Sequence, residues 1–240
     1  MFDFFKRQTS SPGAAKPKIH ITTACAPHGH PEFRIQVSTS AAEVNVRWFL
    51  SYLEGRVAAG EKFGDGESLQ VGWMYTRLEQ VSPHLLRVLE PDMENVPVQF
   101  VDSVDNTLRH LFTQQEAARS FPNVTPDFPS LRQSAVVHEN YRAARRILLS
   151  RFAAQDESDS GWWLTDLDDE QGAQDPARFS KTSLYQLGVD RPDLIRFFAL
   201  PVGLQVAIEP GRIGVIDDKG ELEQIPGSFL AELNRVGRGG

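Results

Sequence analysis

Cys25 is the only cysteine among the 240 residues, which excludes an intramolecular disulfide and any metal site built on several thiolates. Cations are also in deficit: 25 lysines and arginines face 32 aspartates and glutamates, a net charge of -7. Nonspecific nucleic-acid binding needs clustered cations to neutralise phosphates, so this balance argues against a nucleic-acid partner. No apolar run approaches the roughly 18 residues of a membrane span, and no signal-type apolar segment follows Lys6-Arg7. A cytoplasmic protein without membrane contact is the expectation. Gly-x-Ser-x-Gly, His-Glu-x-x-His and a phosphate-binding Gly-Lys-Ser/Thr are all missing. What remains is ordinary globular composition, 40% hydrophobic and 24% charged.

The patterning is mixed. Residues 1–17 read as a flexible leader, because Gln8 to Pro17 offers little apolar surface to bury. Ile19, Ile21, Thr23 and Cys25 alternate as one side of a strand, and Phe33, Ile35 and Val37 as its hairpin partner. Ser40 with Glu43 has capping-box spacing and predicts a helix start, with Val46, Phe49, Leu50, Leu53 and Val57 as its apolar stripe. Gly60 to Gly66 reads as a turn, since it runs into the strand pattern Leu69, Val71, Trp73, Tyr75 rather than into a helix. A strand over 85–89 and a helix over 104–121 follow.

Three prolines between Phe121 and Pro129 oppose regular structure and predict a linker over 122–134. The expected organisation is therefore two lobes, 18–121 and 135–233, with a frayed tail over 234–240. In the second lobe, Val137, Tyr141, Ala144 and Leu148 suit a helix while Ile147 to Phe152 suits a strand. Strands are expected at Gly161–Thr165, Leu204–Ile208, Ile213–Ile216 and Leu222–Ile225, with short helices at Leu184–Leu187 and Pro192–Phe198. Short strands and helices without regular β-α-β alternation give an α+β class of two lobes.

Chemistry-bearing clusters are few. His20, Cys25, His28 and His30 are metal-ligand types, but Gly29 and Pro31 make that segment a loop and a third well-spaced ligand is missing. Asp156-Glu157-Ser158-Asp159-Ser160-Gly161 imitates the start of a calcium loop, yet Leu167 stands where the bidentate acid belongs. No catalytic residue, cofactor or metal site is assigned. The alternatives kept open are a metal-dependent or thiol enzyme using Cys25, the histidines or the acidic loop, and a regulatory binding module.

Asp159-Ser160-Gly161-Trp162 stands out. Residues 153–177 carry eight acidic side chains and neither lysine nor arginine. Asp and Ser bond nearby amides, Gly permits a tight bend, and a tryptophan anchors the following strand. In a regular strand Trp162 and Trp163 point to opposite faces, so one enters the core and the other is left for a second surface. This motif, with Pro192-Asp193-Leu194-Ile195-Arg196-Phe197-Phe198-Ala199-Leu200-Pro201-Val202-Gly203, resembles bacterial immunity-protein family thirty-three over residues 135–210. Residues 55–120 resemble the preceding region of longer members. The resemblance implies a nonenzymatic inhibitor that binds a cognate protein toxin. The surface expected to face it is acidic and aromatic: Asp156, Asp159, Ser160, Gly161, Trp162, Trp163, Asp166, Asp168, Asp169 and Glu170, the carboxylates steering a cationic partner and one indole anchoring it.

Overall fold

The computed structural model describes residues 16–237; the expected leader up to residue 15 and the tail beyond residue 237 lie outside them. Two mixed sheets, each packed against helices, make the fold α+β with two sheet lobes.

The first sheet has the order β1-β2-β5-β4-β3, from β1 (Lys18–Ile21), β2 (Glu32–Val37), β3 (Ser68–Val71), β4 (Met74–Ser82) and β5 (Leu85–Pro91), with β6 (Phe100–Val101) paired to β5. Only the β2–β5 pair is parallel. The β1–β2 hairpin forms, but its register corrects the expected inward face. Ile19 lies opposite Gln36 and Ile21 opposite Arg34, on the outer side, leaving both isoleucines exposed. His20 lies opposite Ile35, and the one-turn 3₁₀ helix Ala26–His28 then brings Cys25 into the core.

Helix α1 (Ser40–Glu43) is capped by Thr39, whose hydroxyl accepts from the Ala42 amide, one residue before the expected start. The chain turns at Val44–Asn45 and resumes as α2 (Val46–Ala58), which buries Val46, Phe49, Leu53 and Val57 among Phe33, Ile35, Leu78 and Val88. The run Leu69 to Tyr75 is a tight hairpin rather than one strand. Gly72, at φ +61°, turns the chain, and Trp73 leaves the sheet for the second lobe's core.

Helix α3 (Asp105–Arg119) joins the lobes. Its Leu108 and Leu111 belong to the first core, its Ala117 and Ala118 to the second. The buried Glu90 carboxylate of β5 accepts from the Asn106 and Thr107 amides, satisfying the helix's first donors from outside the helix. Gln114 donates to the Ile195 carbonyl, and Trp73 meets Phe198 edge-on at 5.4 Å. Both cores are thus tied through α3.

Residues 121–133 contain neither helix nor strand. The segment is held at Asp127, which donates its amide to Ala199, and at Leu131, which donates to Trp73. The second sheet follows, ordered β10-β7-β9-β8-β11-β12-β13. Its strands are β7 (Ser134–His138), β8 (Ile147–Arg151), β9 (Asp159–Asp166), β10 (Phe179–Ser183), β11 (Gln205–Glu209), β12 (Arg212–Asp217) and β13 (Gly220–Glu221). The ambiguous Val137–Phe152 stretch resolves as strand, turn, strand. α4 (Leu184–Asp190) forms where the leucines predicted it, whereas Pro192–Phe198 supplies only a 3₁₀ turn at Ile195–Phe197, and the strand expected at Leu222–Ile225 is absent, since the pairing with β12 ends at Glu221 of β13. The tail is helical to Gly237: α5 (Phe229–Gly237) is fastened by Asn234, which bonds both the amide and the carbonyl of Ile213.

Candidate partner-binding surface

The Asp-Ser-Gly-Trp motif is a folding device at the mouth of β9, the third of seven strands in its sheet. The β7–β9 register shifts between Ser134 and Val136, and Gly161 takes up the irregularity at φ +75°. A Cβ on Gly161 would lie 2.0 Å from the Phe152 carbonyl oxygen, so no other residue fits without moving backbone. Asp159 accepts from the Gly161 amide at 2.9 Å and from the Gln155 amide at 3.0 Å. Ser160 is buried and donates to the Ser134 carbonyl at 2.7 Å. Trp162 then enters the core, its indole N–H donating to the Phe198 carbonyl at 3.0 Å.

The guanidinium of Arg151 lies 5.3 Å from the Trp162 ring. It donates to the carbonyls of Asp127, Phe198 and Leu200 and to the Asp127 carboxylate. Burial lowers its pKa, opposed by the Asp127 and Asp159 charges. This group pins the 121–133 segment to the sheet. Trp162 is therefore an interior anchor and takes no part in any surface.

Trp163 points the other way. It is half-buried, at 5.0 Å from the Phe179 ring, and belongs to neither hydrophobic core. The registers place Val136 and Ser150 beside it and Leu148 beside Thr165, with Ala207 next to Leu148. Helices α3, α4 and α5 bury Ala117, Leu184 and Leu230 on the opposite side of the sheet. What faces outward is a half-buried row in which Val136, Trp163, Leu148 and Ala207 are interleaved with Ser150 and Thr165, with the exposed Phe152 at one end. The rim is charged but paired: Arg146 meets Asp168 and Glu209, and Arg212 meets Glu209 and Glu221.

The acidic residues, contiguous in sequence, are divided by this strand. β9 has eight residues, about 25 Å at the usual strand rise, so its ends hold two separate groups. At one end, exposed Asp156 is kept below the ordinary carboxylate range by the Ser158 hydroxyl and amide. At the other end most carboxylates are occupied by the fold. Asp166 is buried and accepts from the Asp168 amide. Asp169 holds Arg178 at 2.9 Å and the Gly172 amide, and stands 3.5 Å from buried His138. Glu170 is exposed. Of the ten residues expected at the surface, Asp156, Trp163 and Glu170 are presented outward with the least structural duty, while exposed Asp168 is engaged by Arg146. Ser160, Gly161, Trp162 and Asp166 are buried.

Two of the groups named for the alternative chemistries are engaged by the fold. Cys25 is fully buried, and burial pushes its thiol up to about 11, with Thr22 opposing and Glu32 reinforcing the rise. Such a thiol carries almost no thiolate at neutral pH. The His30 ring reaches the Pro31 carbonyl through Nδ1 and accepts the Phe63 amide through Nε2. Among the described residues no three His, Cys, Asp or Glu side chains are grouped to hold a metal ion. None of the described helices is long and apolar enough to cross a membrane.

One aromatic surface escaped the sequence reading. Trp48 of α2 and Phe112 of α3 are each nearly half exposed and flank a cleft of about 270 Å³ with Leu108 and Leu111. Trp48 lies outside the stripe read for α2, and periodicity does not say that Phe112 sits at the edge of its own buried stripe.

Residues 113–218 match the family described as the Imm33-like domain. The match runs from the second half of α3 through β12, so it contains the Asp-Ser-Gly-Trp bulge and the open face, and it leaves residues 55–112 outside. No curated protein and no solved structure matches the chain.

Proposed function

We propose that this protein is an immunity protein: it binds and neutralises a cognate protein toxin, stoichiometrically and without catalysis, in the cytoplasm. The observation that carries the reading is a matched immunity-type segment in which a tryptophan stands on a sheet face that neither core of the described residues covers. An outward row of half-buried apolar side chains ending in the exposed Phe152 is a natural place for another surface to dock. A sheet face is also well suited to inhibition, because its backbone is fully hydrogen-bonded and its side chains stand in fixed rows. Trp163 is already ordered against Phe179, so little side-chain freedom is lost on binding.

The acidic groups flank this anchor and steer a cationic partner, chiefly through rate. Asp156 and Glu170 are the carboxylates to probe, since Asp166 and Asp169 are spent inside the fold. The toxin is sought in the gene next to that of this protein, and the test is growth protection on co-expression together with affinity by calorimetry. Trp163→Ala is expected to cost about 2–4 kcal/mol, or roughly 30- to 1000-fold in Kd. Asp156→Lys with Glu170→Lys is expected to slow association and to flatten its salt dependence. Trp48→Ala, on the other lobe, is expected to leave affinity unchanged. Undiminished affinity in Trp163→Ala alongside loss in Trp48→Ala would transfer the interface to the α2–α3 cleft. Failure of the neighbouring gene product to bind at all would refute the immunity role.

A further inference from the structure

A cleft of about 280 Å³ opens between α3, the Ile195–Phe197 turn and the start of α5, lined by Arg109, His110, Thr113, Ile195, Arg196 and Phe229. It differs in kind from the sheet face described above, being concave and lined by two arginines that form no ion pair among the described residues. Arg109 is exposed, and its guanidinium donates to the amide oxygen of Asn106. Arg196 is half-buried, 6.0 Å from the Phe229 ring centroid. Among the described residues neither has a carboxylate partner, whereas neighbouring Arg191 is closed onto Asp193 by two bonds. In a chain of net charge -7, two unneutralised guanidiniums in one concavity form a local positive site.

The inner wall carries a third polar group. His110 is only 7% exposed, and its Nε2 is buried without a hydrogen-bond partner. A buried nitrogen of this kind normally has a partner, in the protein or bound to it. Ile195 and Phe229 make the remaining wall apolar, with Phe229 offering a ring face beside Arg196. The volume falls just below the roughly 300–1,000 Å³ usual for small-ligand sites, so the occupant is small.

We infer that this cleft is a binding site for a small oxyanion with a flat apolar body, a phosphomonoester being the class that best fits two guanidinium forks beside an aromatic ring. Each guanidinium offers paired N–H donors to oxyanion oxygens. The ring and Ile195 cover the body that a bare phosphate lacks. Because the cleft is framed by α3 and α5, which pack against each other, occupancy clamps the junction of the lobes. The site stands independently of the toxin reading.

Calorimetric titration of the full chain at low salt, with phenyl phosphate, inorganic phosphate and phenol as probes, tests the inference. Phenyl phosphate is expected to saturate one site, at least tenfold tighter than inorganic phosphate, with a rise in Tm; phenol is expected not to bind. Arg109→Gln and Arg196→Gln are each expected to weaken phenyl phosphate at least tenfold, with circular dichroism and Tm of the free protein unchanged. Arg196→Lys is expected to recover part of the loss, since a point charge replaces a fork. Absence of saturation up to about 10 mM, equal affinity for phenyl and inorganic phosphate, or undiminished binding in both glutamine variants would each overturn the assignment.

Discussion

His110 makes the stability of this protein acid-sensitive in a defined window. Burial, reinforced by the Arg109 charge, pushes its pKa from 6.5 down to about 3. The folded state therefore holds the ring neutral, edge-on to Trp73 at 5.8 Å, while the unfolded chain takes up a proton below pH 6.5. Between these values the unfolded state binds more protons, so the stabilisation is complete above pH 6.5 and is lost as the pH falls towards 3. At one pH unit per 1.36 kcal/mol, the loss between pH 7 and pH 5 is about 2 kcal/mol, and the full window is worth about 5 kcal/mol. That is comparable with the total stability of many domains. The perturbation is His110→Phe, which keeps an aromatic ring against Trp73 but cannot titrate. Urea unfolding at pH 7, 6 and 5 is the assay. The wild type is expected to lose about 2 kcal/mol more than the variant over this range, about 0.7 M in midpoint for a slope near 3 kcal/mol per M. A constant difference between the two proteins across the three pH values would refute the reasoning.

Three further outcomes follow from packing. Gly161→Ala is expected to destabilise by about 3 kcal/mol or more and to lower Tm sharply, because both the positive φ and the Phe152 carbonyl oppose a Cβ; a Tm within a few degrees of wild type would show that the bulge relaxes freely. Cys25 is expected to stay unreactive towards a thiol reagent in native buffer and to react once in denaturant, since it is fully buried with its pKa raised to about 11. Asp190 is held below the ordinary aspartate range, against burial, by Tyr141 and Arg142. Its stabilisation is present above the unfolded value of 3.8 and disappears as pH falls through the lower folded value, so the deficit of Asp190→Asn at pH 7 is expected to shrink below pH 4.

Local patterning carried much of the architecture. The alternation of Phe33, Ile35 and Val37, the stripe of α2 and the prolines after Phe121 each act through a few neighbouring residues, and the corresponding elements form. Where the reading failed, the deciding contact was distant in sequence. Ile19 and Ile21 alternate perfectly but face outward, because the register with β2 puts them beside Gln36 and Arg34. Trp73 fits a strand by period, yet Gly72 turns the chain and Trp73 packs on Phe198. The candidate surface was half legible. The opposed directions of Trp162 and Trp163 follow from strand geometry, but the helices that cover one face of the sheet decide which ring is left outside.

The amino-acid sequence alone set the α+β class, the bend at Gly161 and the acid-rich surroundings of the tryptophan pair, since each depends on residue type and short spacing. Only the tertiary structure separated the acidic run into two ends about 25 Å apart, withdrew Asp166 and Asp169 into the fold, and brought Arg109 and Arg196 to one cleft. Strand order and helix docking join residues tens of positions apart, and burial and the pairing of charges are properties of that assembled surface.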